Sequence, residues 1–240
     1  MPGDLRSTGP VKTEPQTPEP PDPEARGLPL VPVLLALTVV SGLIDAVSYL
    51  GLHHVFTANM TGNVVVLGFA AAGAPGFSVS HTAASLGCFL AGAVIGGRVA
   101  GRLGGGSRRT WTRLTLAAEA VLVGAASAVA FAAPDATGTT YAVIVLTAVA
   151  MGLRNATVRK LGVADLTTTV LTMTLTGIAS DSRLAGGEGV RSFRRSAAVV
   201  AMLAGALLGA WLVLHHGLGI PLLIAAAVTG VLAVTASGRE

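Results

Sequence analysis

Residues 41–68 read SGLIDAVSYLGLHHVFTANMTGNVVVLG, and this stretch decides what kind of fold the chain adopts. An Asp sits inside an apolar run, the chain turns at a His pair, and Thr-Ala-Asn-Met-Thr-Gly-Asn leads back into apolar sequence. A water-soluble core gives no reason for amides and a carboxylate inside long apolar runs. In a bilayer each such group is expensive, about 2.5–3.5 kcal/mol for an Asp at mid-helix, so its presence points to a site.

Composition bounds the solvent. Of the 240 residues 52% are hydrophobic and 12% charged, about half the charged fraction of a soluble domain. Mean hydropathy is +0.70. The apolar residues gather in runs of roughly 20, the length that crosses a hydrocarbon core of about 30 Å. The chain therefore reads as an all-α polytopic membrane protein whose first partner is the lipid bilayer. Its net charge of +4 sits in short Arg-bearing loops with almost no aromatic interleaving, which argues for topology determinants and against nucleic-acid binding. Cys88 is the only cysteine, so no disulfide framework or Cys-based metal site arises.

In order, residues 1–27 form a Pro-rich acidic tail, expected to be disordered and cytoplasmic, and its first residues lack the apolar run expected of a signal peptide. Apolar segments follow at 28–52, 55–73, 79–101, 111–133, 141–158, 163–179, 196–215 and 218–236. The second and sixth are short and polar. The second carries Asn59, Thr61 and Asn63; the sixth carries Thr167, Thr168, Thr169, Thr172, Thr174 and Thr176. Two halves, 28–133 and 134–240, repeat one another. GLIDA at 42–46 matches GLRNA at 152–156, and LAGAVIG at 90–96 matches LAGALLG at 203–209. Between them MTG at 60–62 falls on either LTM at 171–173 or LTG at 175–177.

Charge orients the halves. Arg98, Arg102, Arg108, Arg109 and Arg113 surround the loop after segment three, Arg159 and Lys160 follow segment five, and Arg183, Arg191, Arg194 and Arg195 follow segment six. For the large Arg loops to share the cytoplasmic side, an even number of crossings must separate them. Segment six then does not span, and by the repeat neither does segment two. Six crossings, both termini inside and an inverted repeat follow, as in many secondary transporters. Broken segments at depth need Asn, Thr and Gly to satisfy or bend the backbone. The alternative is eight spanning helices whose Thr side chains bond back to their own turns.

The runs DAVSYL (45–50), FTANMTGN (56–63) and NATVRKLGVADLTTTVLT (155–172) resemble the YoaK-like family of bacterial integral membrane proteins. The resemblance covers almost everything after the tail. It implies a multi-pass protein of the bacterial cytoplasmic membrane and a domain of unknown function, so it supplies no activity. Arg154 departs from the family's pattern, in which Gln usually precedes the Asn-Ala pair.

Candidate site residues are Asp45, Asn59, Thr61, Asn63, Arg154, Asn155, Asp165, Thr168 and Thr172. Asp45 and Arg154 hold neighbouring positions in the repeat and are expected to pair across it, either coupling a proton or ion or simply locking the halves together. Asp165 reads as a helix cap. His53, His54, His81, His215 and His216 all fall at the outer face, but interfacial His needs no metal, and none is expected. Gly92–Gly96, Gly97–Gly101 and Gly205–Gly209 are small-residue seams for helix packing or a homo-oligomer. The Gly104–Gly106 loop lacks a phosphate-binding Lys, and no nucleophile stands with a base, so neither cofactor nor enzyme activity is expected. Two functions compete: a small-solute or ion-coupled transporter with a polar midplane site, and a non-transporting component such as an assembly factor, sensor or partner subunit.

Overall fold

The computed structural model describes residues 28–103, 107–134, 136–162, 171–182, 185–186 and 192–237. The acidic tail, Asp165 and Thr167 to Thr169 lie outside the described residues. Among the described residues the chain forms eight helices: α1 Leu30–Gly51, α2 Met60–Ala71, α3 Val79–Leu103, α4 Arg108–Ala132, α5 Thr137–Leu161, α6 Leu171–Ser180, α7 Ser192–His216 and α8 Gly219–Thr235. They follow the eight apolar segments one for one.

Five helices, α1, α3, α4, α5 and α7, are long and apolar enough to cross a membrane; α8 is apolar but has 17 residues. At about 1.5 Å per residue α2 reaches only roughly 18 Å and the described α6 roughly 15 Å. Neither length crosses a core of about 30 Å. The surface is that of a protein solvated by lipid. On α7 Leu203, Leu207 and Leu214 point outward, the last 73% exposed, while Ser41, Asp45, Asn63, Glu119, Arg154 and Thr229 are buried. Water would not tolerate that inversion; acyl chains require it.

With no water between helices to expel, close backbone contact holds them together. Helix α1 packs along α7, α5 along α3, and α4 along α8. A Cβ at Gly42 would collide with the Met202 carbonyl and stand 2.8 Å from the Ala206 amide. One at Gly152 would collide with the Phe89 carbonyl and stand 2.8 Å from the Ala93 amide. The partners answer in kind, Gly205 against Val39 and Gly92 against Val149. Gly92, Gly96, Gly205 and Gly209 are thus spent on contacts inside one protomer, whereas Gly97 and Gly101 meet nothing within 4 Å.

These contacts set the helix directions. Gly205 meets Val39 and Gly209 meets Leu43, so α1 and α7 run parallel; Gly92 at Val149 and Gly96 at Leu153 make α3 and α5 parallel. Arg108 reaches the Leu161 carbonyl near one end of α4 and α5, and Arg154 meets Glu119 further along, which makes that pair antiparallel. Ser127 bonds the Gly219 carbonyl and Thr229 lies by Glu119, so α4 and α8 are antiparallel too. Helices α1, α4 and α7 therefore run one way and α3, α5 and α8 the other. No crossing remains for α2 or α6. Each leaves and returns at one end of the bundle, α2 opposite to α6. Arg98, Arg102, Arg108, Arg109, Arg113, Arg159, Lys160, Arg194 and Arg195 gather toward a single end, the arrangement that the charge pattern requires.

Candidate functional site

The site begins where α1 stops being a simple apolar helix. Asp45, 7% exposed, turns inward from its last third, and its Oδ1 accepts from the Ala58 amide at 3.2 Å. Ala58 can reach it because the chain folds back after α1 through His53 and His54, both with positive φ (57° and 59°). Two consecutive non-Gly residues in that region are strained, and strain of this kind is held only by surrounding contacts. Asn63 supplies them. Its Oδ1 accepts from the Phe56 amide at 2.9 Å and its Nδ2 donates to the Phe56 carbonyl at 2.6 Å. Ser85 of α3 donates to that same carbonyl at 2.6 Å. Asn59 then caps α2, accepting from the Gly62 amide at 3.2 Å.

The fold-back leaves a cavity of about 280 Å³ between α1, the start of α2, α5 and the start of α6. Asp45, Asn59, Thr61, Asn155 and Thr172 line it together with Ser41, while Phe89, Met60, Met202, Leu171 and Ala58 supply apolar wall. Five of the nine residues singled out from the sequence thus meet in one place. Thr61 and Thr172 both belong to its lining. Asn155 also donates to the Met151 carbonyl at 2.9 Å.

Two of the nine do not line the cavity. Asn63 is fully buried beneath the loop it holds. Arg154 is 2% exposed and pairs with Glu119 of α4, not with Asp45, which corrects the expected cross-repeat pair. Its Nε donates to Glu119 Oε2 at 2.8 Å, Nη2 bonds Oε1, and Nη1 reaches the Leu37 carbonyl at 3.0 Å and Ser41 Oγ at 2.7 Å. The Thr229 hydroxyl lies 3.3 Å from Glu119 Oε1. The physical reason is shape: a planar guanidinium matches a carboxylate facing it squarely, and α4 presents one at the same depth. Sequence reasoning passed over Glu119. The signal was there, a lone acid in the apolar run LTLAAEAVLVG (114–124). Asp165 and Thr168 lie outside the described residues.

The histidines stay apart from the cavity lining. His53 stacks on His81 with ring centroids 5.0 Å apart, Tyr141 packs against His81, and His215 and His216 pack on Trp211. Among the described residues no three His, Cys, Asp or Glu side chains come together as a metal site would need.

A family model described as "Protein of unknown function (DUF1275)" matches residues 33–235. The UPF0700 transmembrane protein YoaK of Bacillus subtilis (strain 168) is 32% identical over 149 residues, which cover 62% of this chain and 65% of that protein. The match thus spans just under two thirds of the relative's length. No solved structure matches.

Proposed function

From the premise that this multi-pass membrane chain belongs to the DUF1275 family of unknown function, we propose that it is a transporter of a small solute. On this reading residues 28–133 and 134–240 are inverted repeats that interlock around a shared cavity in the bacterial cytoplasmic membrane, with both termini cytoplasmic. The observation that carries the reading is the cavity of about 280 Å³, placed where two helices too short to span approach Asp45 of α1 and Asn155 of α5. A polar void at depth is costly unless water or solute fills it. Short helices whose N-terminal ends abut a polar void are how transporter folds build such sites.

The packing supports an interlocked pair of repeats. Gly42 against Met202 and Ala206 recurs as Gly152 against Phe89 and Ala93, so each half lends its first helix to the other half's third.

The test is accessibility during turnover. Thr61→Cys and Thr172→Cys, each in a Cys88→Ala background, are exposed to an impermeant thiol reagent in right-side-out and inside-out vesicles. An alternating cavity labels from both faces at both positions. Labelling of Thr61→Cys from one face only, in every condition, would reduce the cavity to a vestibule and leave a non-transporting component as the better account.

A further inference from the structure

Counting charge at the cavity points to what it takes. Among the described residues the buried ionisable side chains are Asp45, Glu119 and Arg154. Arg154 spends its guanidinium on Glu119, the Leu37 carbonyl and Ser41, so that pair is neutral and satisfied. Asp45 remains. Its Oδ1 holds the Ala58 amide, a neutral donor, and among the described residues no cationic side chain lines the cavity it faces. Among the described residues two acids and one base leave one carboxyl beside a void with no base to balance it, neutral when protonated and short of a counter-charge when ionised. A charge at that depth is tolerated when a counter-charge sits next to it.

We propose that the cavity selects a small organic ammonium ion, with Asp45 as its counter-ion. The lining also separates this from a bare metal ion. Hard cations need about six or more oxygen ligands in a tight shell. Among the described residues one carboxylate shares the wall with Met60, Met202, Phe89 and Leu171. At about 30 Å³ per water of liquid, the cavity holds about nine waters' worth of solute. That suits an ammonium head against Asp45 and the Thr61 and Asn155 side chains, with an alkyl body against thioether and ring. The aromatic face of Phe89 favours a cation over an anion.

The inference rests on the cavity being a solute site and adds the sign of the solute's charge. Its test uses three probes of nearly equal size, propylammonium chloride, propionamide and sodium propionate, at matched ionic strength. Thermal unfolding of the purified full-length protein is followed by Trp fluorescence. Propylammonium should raise the midpoint in a saturable way, and the other two should not. Asp45→Asn keeps the acceptor for Ala58 and should weaken propylammonium about tenfold or more. An equal response to propionamide or propionate overturns the proposal, as does a propylammonium response that survives Asp45→Asn or no response to propylammonium at all. If Asp45→Asn does not fold, the three-probe comparison on the unaltered protein still decides. Stabilisation by propionamide with two-faced labelling of the cavity would sink ammonium selectivity and leave transport standing. Propylammonium binding with one-faced labelling would do the reverse.

Discussion

Arg154 and Glu119 meet as a two-pronged ion pair inside the helix bundle, Nε of Arg154 lying 2.8 Å from Oε2 of Glu119. Through Arg154 the pair also holds Leu37 and Ser41 of α1, so one contact ties α4, α5 and α1 at the depth of the cavity. A buried pair of this kind gains less than its geometry suggests, because both ions leave water at a cost of several kcal/mol each. Breaking it is another matter.

Removing one partner strands the other charge, which costs about 3–5 kcal/mol. Glu119→Gln alone and Arg154→Gln alone should each lower the melting temperature and the yield of folded protein. Glu119→Leu with Arg154→Met, near in volume, should recover most of both. Asp45→Asn combined with Arg154→Gln should not. A rescue by that second combination, measured as a coupling energy in a double-mutant cycle, would reinstate Asp45 as the partner.

The bilayer explains how much of this was readable in the sequence. It forces apolar runs of a set length and makes polar residues at depth conspicuous, so eight helices, two short ones and the cluster of Asp45, Asn59, Thr61, Asn155 and Thr172 all leave marks in the order of residues. Choosing among neighbours does not. Asn59 and Asn63 differ by one helical turn, yet one lines the cavity and the other is buried under the Phe56 loop. Asp45 and Glu119 are both lone acids in apolar helices, and only the face that each helix turns toward α5 decides which one meets Arg154. Such facts live in packing, and no spacing rule carries them.

Packing itself is testable at Gly42 and Gly152. Each faces backbone of the neighbouring helix, where a side chain cannot be moved aside. Gly42→Val and Gly152→Val should destabilise to a similar degree, beyond the usual 1–3 kcal/mol of overpacking because the helices must separate. Gly101→Ala, with open space around it, should be neutral or gain up to about 1 kcal/mol from helix propensity. Unequal losses at Gly42 and Gly152, read from thermal unfolding in one detergent, would count against equivalent roles for the two halves.

Asn63 and Thr61 separate scaffold from lining. Asn63 bonds both backbone groups of Phe56, and because Ser85 still holds the carbonyl, Asn63→Ala leaves the Phe56 amide unpaired at about 1–3 kcal/mol. It should lower the melting temperature without any ligand. Thr61→Val removes a hydroxyl from the cavity lining and should leave the unliganded midpoint nearly unchanged. If Thr61→Val proves as damaging as Asn63→Ala, Thr61 belongs to the scaffold and the cavity loses one of its polar contacts.

Helix directions make the sharpest claim about the membrane. Since α1 and α7 run parallel, the loop at Ser107 and the segment at Ala185 lie at the same end of the bundle, and the turns at Ala74 and Ala136 lie at the other. Single cysteines at these four positions, each in a Cys88→Ala background, should divide two and two when intact cells meet an impermeant thiol reagent. The basic end carries Arg98, Arg102, Arg108, Arg109, Arg159, Lys160, Arg194 and Arg195, and such clusters stay on the cytoplasmic side. Ala74→Cys and Ala136→Cys should therefore label, and Ser107→Cys and Ala185→Cys should label only after the cells are opened. Labelling of Ala185→Cys but not Ser107→Cys in intact cells would put a crossing between α5 and α7. The parallel pairing of α1 with α7, and the cavity assembled around it, would then be wrong.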